Sequence, residues 1–77
     1  MEETLRQIIA KIAETTPDFG ADADLREDLD LDSHRGVELL FEVERVFDVK
    51  VPADRFDELR TLNKALALIA SLKGGAR

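Results

Sequence analysis

The chain has 77 residues, 44% of them hydrophobic and 36% charged, with a formal net charge of −6. That length and balance predict one globular, soluble domain over residues 1–77, with a small core and no room for a separate catalytic unit. Cysteine is absent and histidine occurs once, which excludes disulfides, thiolate or multi-histidine metal sites and cysteine nucleophiles.

Residues 2–15 carry Leu5, Ile8, Ile9, Ile12 and Ala13 at the spacing of one buried helical stripe. Glu2 and Glu3 suit the positive end of that helix, and Thr15-Thr16-Pro17 should stop it. Residues 16–32 form a connection longer than most within compact domains. Phe19, Leu25, Leu29 and Leu31 are expected to pin it to the bundle, with a helical turn around Asp24–Asp28. Few apolar anchors serve many acids there, so this connection is expected to be the most mobile ordered part. A second helix should begin at Ser33, capped by Asp32 or Ser33, and run to Phe47. Val49-Lys50-Val51-Pro52 reads as extended, because the residue before proline avoids the helical region. A short helix over Asp54–Arg60 turns Phe56 and Leu59 inward. Thr61 caps a last helix over Leu62–Leu72, with Leu62, Ala65, Leu66, Ile69 and Leu72 as its stripe. Lys73 suits its negative end and Gly74-Gly75 terminates it. Residues 1–3 and 73–77 are expected to fray. The expected architecture is all-α: a bundle of three longer helices and one short one, with a long loop between the first two.

Charge is unevenly distributed. Asp18, Asp22, Asp24, Glu27, Asp28, Asp30 and Asp32 stand against Arg26 alone, and the other 62 residues balance ten acids with ten bases. Such a segment repels nucleic acid and anionic lipid and attracts basic protein surfaces, or is simply a solvated loop. An EF-hand frame started from Asp18, Asp22 or Asp24 lacks the required glycine and glutamate, so calcium binding is not expected.

The second helix carries more apolar surface than a core needs. Gly36, Leu39, Leu40, Val43, Val46 and Phe47 form one face, and Gly36 would allow a neighbouring helix to come close. Val37 and Phe41 fall outside that arc, with His34 beside them. They form either an exposed contact patch rimmed by Glu38 and Glu44 or a surface packed under the loop. The acidic start Met1-Glu2-Glu3-Thr4 lacks a signal-peptide core and no apolar run is long enough to span a membrane, so a cytoplasmic monomer without membrane insertion is expected. No catalytic triad can be assembled. His34 adjoins Ser33, and adjacent side chains on a helix diverge by ~100°, a poor geometry for a general base. No catalytic residue and no metal ligand is assigned.

The run Asp28-Leu29-Asp30-Leu31-Asp32-Ser33-His34-Arg35-Gly36-Val37-Glu38-Leu39-Leu40 resembles the signature of the acyl carrier protein family, in which Asp-Ser-Leu opens the second helix and Val-Glu-Leu follows. Glu42-Val43-Glu44-Arg45-Val46-Phe47-Asp48-Val49-Lys50-Val51-Pro52 is similar to the family's helix end, and the element pattern matches from Leu5 to Leu72. The resemblance implies a non-enzymatic carrier. Ser33 would be the attachment point for 4'-phosphopantetheine, transferred from coenzyme A by a holo-acyl-carrier-protein synthase, with Asp32 flanking it. The arm would carry acyl intermediates as thioesters for fatty acid, lipid or polyketide-type biosynthesis. His34, Val37, Glu38, Phe41 and Glu44 would meet acyl-loading and acyl-transfer enzymes with basic docking surfaces. Leu39, Val43, Val46, Phe47 and Leu66 would line an acyl-chain space or fill the core.

The chain departs from the family at several positions. His34 replaces the leucine usual after the serine, Asp30 stands where glycine is frequent, and Arg35 and Arg45 add positive charge to an often acidic helix. These changes point to a specialised stand-alone member. The alternatives are an aminoacyl, peptidyl or D-alanyl carrier, or an unmodified helical adaptor that uses the Val37/Phe41 patch.

Overall fold

The computed structural model describes residues 1–74. Four helices follow in order: α1 (Glu2–Ala13), α2 (Ser33–Phe47), a short 3₁₀ helix (Ala53–Glu58) and α3 (Leu62–Gly74). Among the described residues there is no strand. The expected helical bundle is observed. Helical structure includes Glu2, Glu3, Lys73 and Gly74, while Gly75 and the rest of the expected frayed end lie outside the described residues.

The first helix ends two residues earlier than the spacing predicts. Glu14 adopts a left-handed conformation (φ 58°). The amides of Glu14 and Thr15 turn back to donate to the Lys11 and Ala10 carbonyls at 3.4 and 2.9 Å. This closing pattern satisfies carbonyls that would otherwise be orphaned at the helix end. Asp48 ends α2 in the same way (φ 56°), with Val49 N–H donating to the Glu44 carbonyl at 3.3 Å. The segment after Pro52 forms a 3₁₀ helix rather than an α-helix. Six residues are too few to recover the nucleation cost of an α-helix, and 3₁₀ turns serve as connectors of this length.

One core joins the three α-helices and the long connection. Leu5 and Ile9 of α1, Leu39 and Val43 of α2, and Leu62, Ala65 and Ile69 of α3 are closed to solvent together with Leu25 and Leu31 of the long connection. Phe19, Leu29, Phe47, Leu59 and Leu66 pack half-buried against them. No polar side chain is buried among the described residues.

The long connection is anchored more firmly than the sequence suggests. Arg6 holds its start, donating to the Pro17 and Phe19 carbonyls at 2.8 and 2.6 Å while its guanidinium lies 5.1 Å from the Phe19 ring centre. Leu25 N–H donates to the Arg60 carbonyl at 2.8 Å, and Leu31 N–H to the Leu25 carbonyl at 3.1 Å. Asn63 donates from its backbone to the Ala21 carbonyl and from its side chain to Asp22. The expected turn is present, with Asp28 N–H on the Asp24 carbonyl at 2.7 Å. Polar contacts from α1, α3 and the Arg60 corner thus add to the expected apolar pins, and they involve residues far away in sequence.

Other tertiary contacts were likewise outside the reach of sequence spacing. Lys73, in the last turn of α3 as expected, also serves the C-terminal end of α2, donating to the Phe47 carbonyl at 2.8 Å. Arg35 ties α2 to the end of α1 through the Ile12 carbonyl (3.2 Å) and Glu14 (3.1 Å). The neighbour that approaches Gly36 is the Phe56 ring, 3.6 Å from where a Cβ would stand. That is ordinary contact, so the position does not demand glycine.

A candidate attachment site at the start of helix α2

Asp32 sets the geometry. Its backbone is extended (φ −79°, ψ −177°), and its carboxylate accepts the Arg35 N–H at 2.9 Å. Its carbonyl accepts the Gly36 N–H at 2.8 Å. This is helix capping by the residue before the serine, so of the two candidate caps Asp32 performs the task. Ser33 is left as the first residue of the helix, exposed, and its hydroxyl makes no hydrogen bond among the described residues. The amides of Ser33 and His34 precede the first intrahelical bonds and so have no partner within the helix. Free N–H groups and the positive end of the helix dipole favour an anion here.

His34 points into solvent, its side chain 87% exposed, with Nε2 3.6 Å from a Glu38 carboxylate oxygen. That spacing is an ion-pair distance only when the imidazole is protonated, and at such exposure it contributes little. One turn further along, Val37 and Phe41 are exposed, Phe41 by 62%. Of the two arrangements left open by the sequence, Val37 and Phe41 are therefore at the surface and not packed under the loop. Its acidic rim is narrower than expected. The Glu44 carboxylate is half-buried and accepts the Val51 N–H at 2.8 Å, so it holds the chain after α2. The two arginines of this helix add little free positive charge, because Arg35 pairs with Glu14 and Arg45 with Glu42.

The acidic connection is partly neutralised from within. Asp24 accepts the Arg26 and Glu27 amides and the Arg60 guanidinium at 2.8–3.0 Å. Its carboxyl is held below its ordinary range, foremost by the Glu27 amide, with Arg60 adding to the effect against a burial cost. Glu42 and Glu58 are held low chiefly by hydrogen bonds from Arg45 and Arg55.

The expected lining residues separate into three groups. Leu39 and Val43 are fully buried, and Phe47 and Leu66 are half-buried against the core. Val46 is a correction: it is 39% exposed and borders an open groove between α1 and α2. The groove is lined on the α1 side by Thr4, Gln7 and Lys11 together with Ile8 and Ile12, and it stays open over Val46. Of the five, only Leu39 borders the small cleft beside Ser33. That cleft is walled by Leu25 and Leu31 of the connection, Gly36 and Val37 of α2, and Phe56 and Leu59. By spacing alone these residues read as core or patch, and only the fold brings them to the serine.

The site thus presents an unpaired hydroxyl at the first turn of a long helix with exposed apolar side chains beside it. Comparison with known proteins gives the family. The family model described as "Phosphopantetheine attachment site" matches residues 3–69. The chain is 36% identical over 59 residues to an acyl carrier protein of Amoebophilus asiaticus, covering 77% of this chain and 74% of that protein. It is 33% identical over 75 residues to an acyl carrier protein of Akkermansia muciniphila, covering 96% and 94%. Streptomyces coelicolor has an acyl carrier protein 31% identical over 70 residues, covering 88% and 76%. The chain belongs to the phosphopantetheine-binding acyl carrier protein family. Members of this family are carriers with a phosphopantetheine group, not catalysts, and depend on partner enzymes. No helix among the described residues is long and apolar enough to cross a membrane.

Proposed function

We propose that the Ser33 oxygen bonds to the 4'-phosphopantetheine phosphorus of coenzyme A as the pyrophosphate bond breaks and adenosine 3',5'-bisphosphate leaves, and that the chain carries acyl intermediates on the group for a fatty acid, lipid or polyketide-type pathway. One observation carries this reading: the Ser33 hydroxyl is exposed and unpaired at the start of α2, within the region the family model matches. The group supplies a terminal thiol on which an acyl chain is held as a thioester. The residues here fit that group. The free amides of Ser33 and His34 lie where a phosphodiester on the serine would sit. Asp32 spends one carboxylate oxygen on the Arg35 amide, which fixes the helix start and the direction of the serine. His34 extends toward Glu38, away from a general-base role, so the synthase must supply the base that takes the hydroxyl proton.

Partner enzymes would dock on the side of α2 that presents His34, Val37, Glu38 and Phe41. The exposed valine and phenylalanine suit an apolar contact, and Glu38 suits a basic edge. Acyl cargo is favoured over aminoacyl cargo by the likeness to proteins named as acyl carriers.

The test is intact-mass measurement after incubation with coenzyme A and a promiscuous holo-synthase. A phosphopantetheine increment is expected, and Ser33→Ala should lose it. No increment with several synthases, or an increment that survives in Ser33→Ala, would overturn the assignment. Retained biological function in Ser33→Ala together with its loss in Phe41→Asp would identify an unmodified adaptor instead.

A further inference from the structure

Arg6, Arg35, Arg45, Arg55 and Arg60 are each paired with a carboxylate of this chain. Arg26 is not, although it is the one base in the segment richest in acids. It is exposed, and its hydrogen bond is made by its backbone, whose N–H donates to Asp24 at 2.9 Å. Among the described residues its guanidinium has neither a hydrogen-bond partner nor an ion-pair partner. The backbone beneath it is nevertheless fixed. Leu25 is buried, with its N–H on the Arg60 carbonyl, and the Asp24 carboxylate holds the next two amides. The Leu31 N–H closes back on the Leu25 carbonyl at 3.1 Å. That bond joins the ends of residues 25–31. Arg26 follows one end and Asp32 and Ser33 follow the other, and all three border the same small cleft. Arg26 is the only base on that border among the described residues.

We infer that Arg26 is a positioning residue for the arm: its guanidinium binds the phosphodiester on Ser33 and sets the direction in which the arm leaves the helix. The inference rests on the proposed attachment at Ser33 and adds to it the side chain that holds the root of the arm. A phosphodiester there places a negative charge next to Asp32 and close to the other acids of the connection, which repel it. A guanidinium on the same border offsets that repulsion. Its planar fork of N–H donors matches two phosphate oxygens, and a fork with no partner gives up no existing contact to bind them. The free amides at the start of α2 face the anion from one side and Arg26 faces it from the connection. Held from that side, the first atoms of the arm lie toward the connection and leave the exposed Phe41 clear for a partner.

The experiment compares the full chain before and after attachment of phosphopantetheine to Ser33, each form verified by intact mass. Arginine is labelled with ¹⁵N in the side chain, and exchange of each Nε–H with water is followed by magnetic resonance, together with the ³¹P signal of the diester. Attachment should slow exchange at Arg26 by about two- to fivefold, the occupancy that the free energy of an exposed ion pair gives. Arg60, already held by Asp24, should not change. The ³¹P signal should shift in Arg26→Gln, and in Arg26→Lys it should fall between the two. The paired methyl groups of the pantoyl unit, next to the phosphate, should contact the Arg26 methylenes and not Phe41, and in Arg26→Gln their contacts should spread along α2. Unchanged exchange at Arg26 on attachment overturns the inference while leaving the attachment standing, and this reading needs only the native chain. A ³¹P signal or a pattern of methyl contacts indifferent to Arg26→Gln overturns it as well. Failure of the native chain to take up the group removes the attachment and the role of Arg26 with it.

Discussion

The acidic connection and the outer side of α2 both read, in sequence, as surfaces for a basic partner, but the fold uses them in opposite ways. The connection turns inward. Leu25 and Leu31 are buried in the core, Asp24 is occupied by two amides and Arg60, and Asp22 accepts the Asn63 side chain. The outer side of α2 leaves Val37 and Phe41 exposed and keeps His34 and Glu38 in solvent. A formal charge counts for docking only when its own fold has not already used it. Of the acids between Asp18 and Asp32, Asp22 and Asp24 are engaged by Asn63 and Arg60, whereas the helix beside Ser33 leaves apolar side chains exposed.

The sharpest break between the two regions comes from paired truncations. Leu25→Ala removes a fully buried side chain of the connection and should destabilise the protein by about 2–5 kcal/mol in chemical denaturation. Phe41→Ala removes an exposed one and should change stability by no more than about 0.5 kcal/mol, while slowing acyl transfer from partner enzymes. Equal stability losses would show that the Phe41 side of the helix is structural too. At the junction of the regions, Asp32→Ala removes the cap of α2 and should cost about 1 kcal/mol, read as a lower denaturation midpoint.

The engaged carboxylates offer a smaller, pH-dependent test. Asp24, Glu42 and Glu58 are held below their ordinary values of 3.8, 4.5 and 4.5. The unfolded chain therefore takes up protons before the folded chain does as pH falls. Their contribution is fully present above the ordinary values and is lost as pH falls through the lowered folded ones, so stability should decline below about pH 4. Asp24→Asn should flatten that acid decline in a stability-against-pH curve, and an unchanged slope would mean the Asp24 contacts count for nothing in solution. Smallest of all is Asp30→Gly. Asp30 sits in the left-handed region (φ 57°), where glycine is free of strain and aspartate is tolerated. Relief of strain is offset by the extra freedom of glycine in the unfolded chain, so the net change should stay within about 0.5 kcal/mol. That left-handed backbone also accounts for the frequency of glycine at this place in the resembling signature.

Much of this molecule could be read from its residues. The stripe of Leu5 and Ile9, the start of α2 at Ser33 with Asp32 before it, the Thr61 cap on α3 and the apolar pins of the connection all follow from local spacing and side-chain chemistry. Local interactions set them, so local sequence reports them. The ends of α1 and α2 were less legible, because a left-handed Glu14 or Asp48 carries no signal as plain as glycine.

What the sequence determined by itself was the helical class, the position of the serine at a helix start and the two-sided apolar character of α2, since periodicity and capping act within a few residues. Only the tertiary structure decided which acids were already spent, that Val46 faces solvent and that Phe56 and Leu59 meet Ser33 across a narrow cleft. Those outcomes depend on side chains brought together from distant parts of the chain, and no spacing along one helix specifies what stands opposite it.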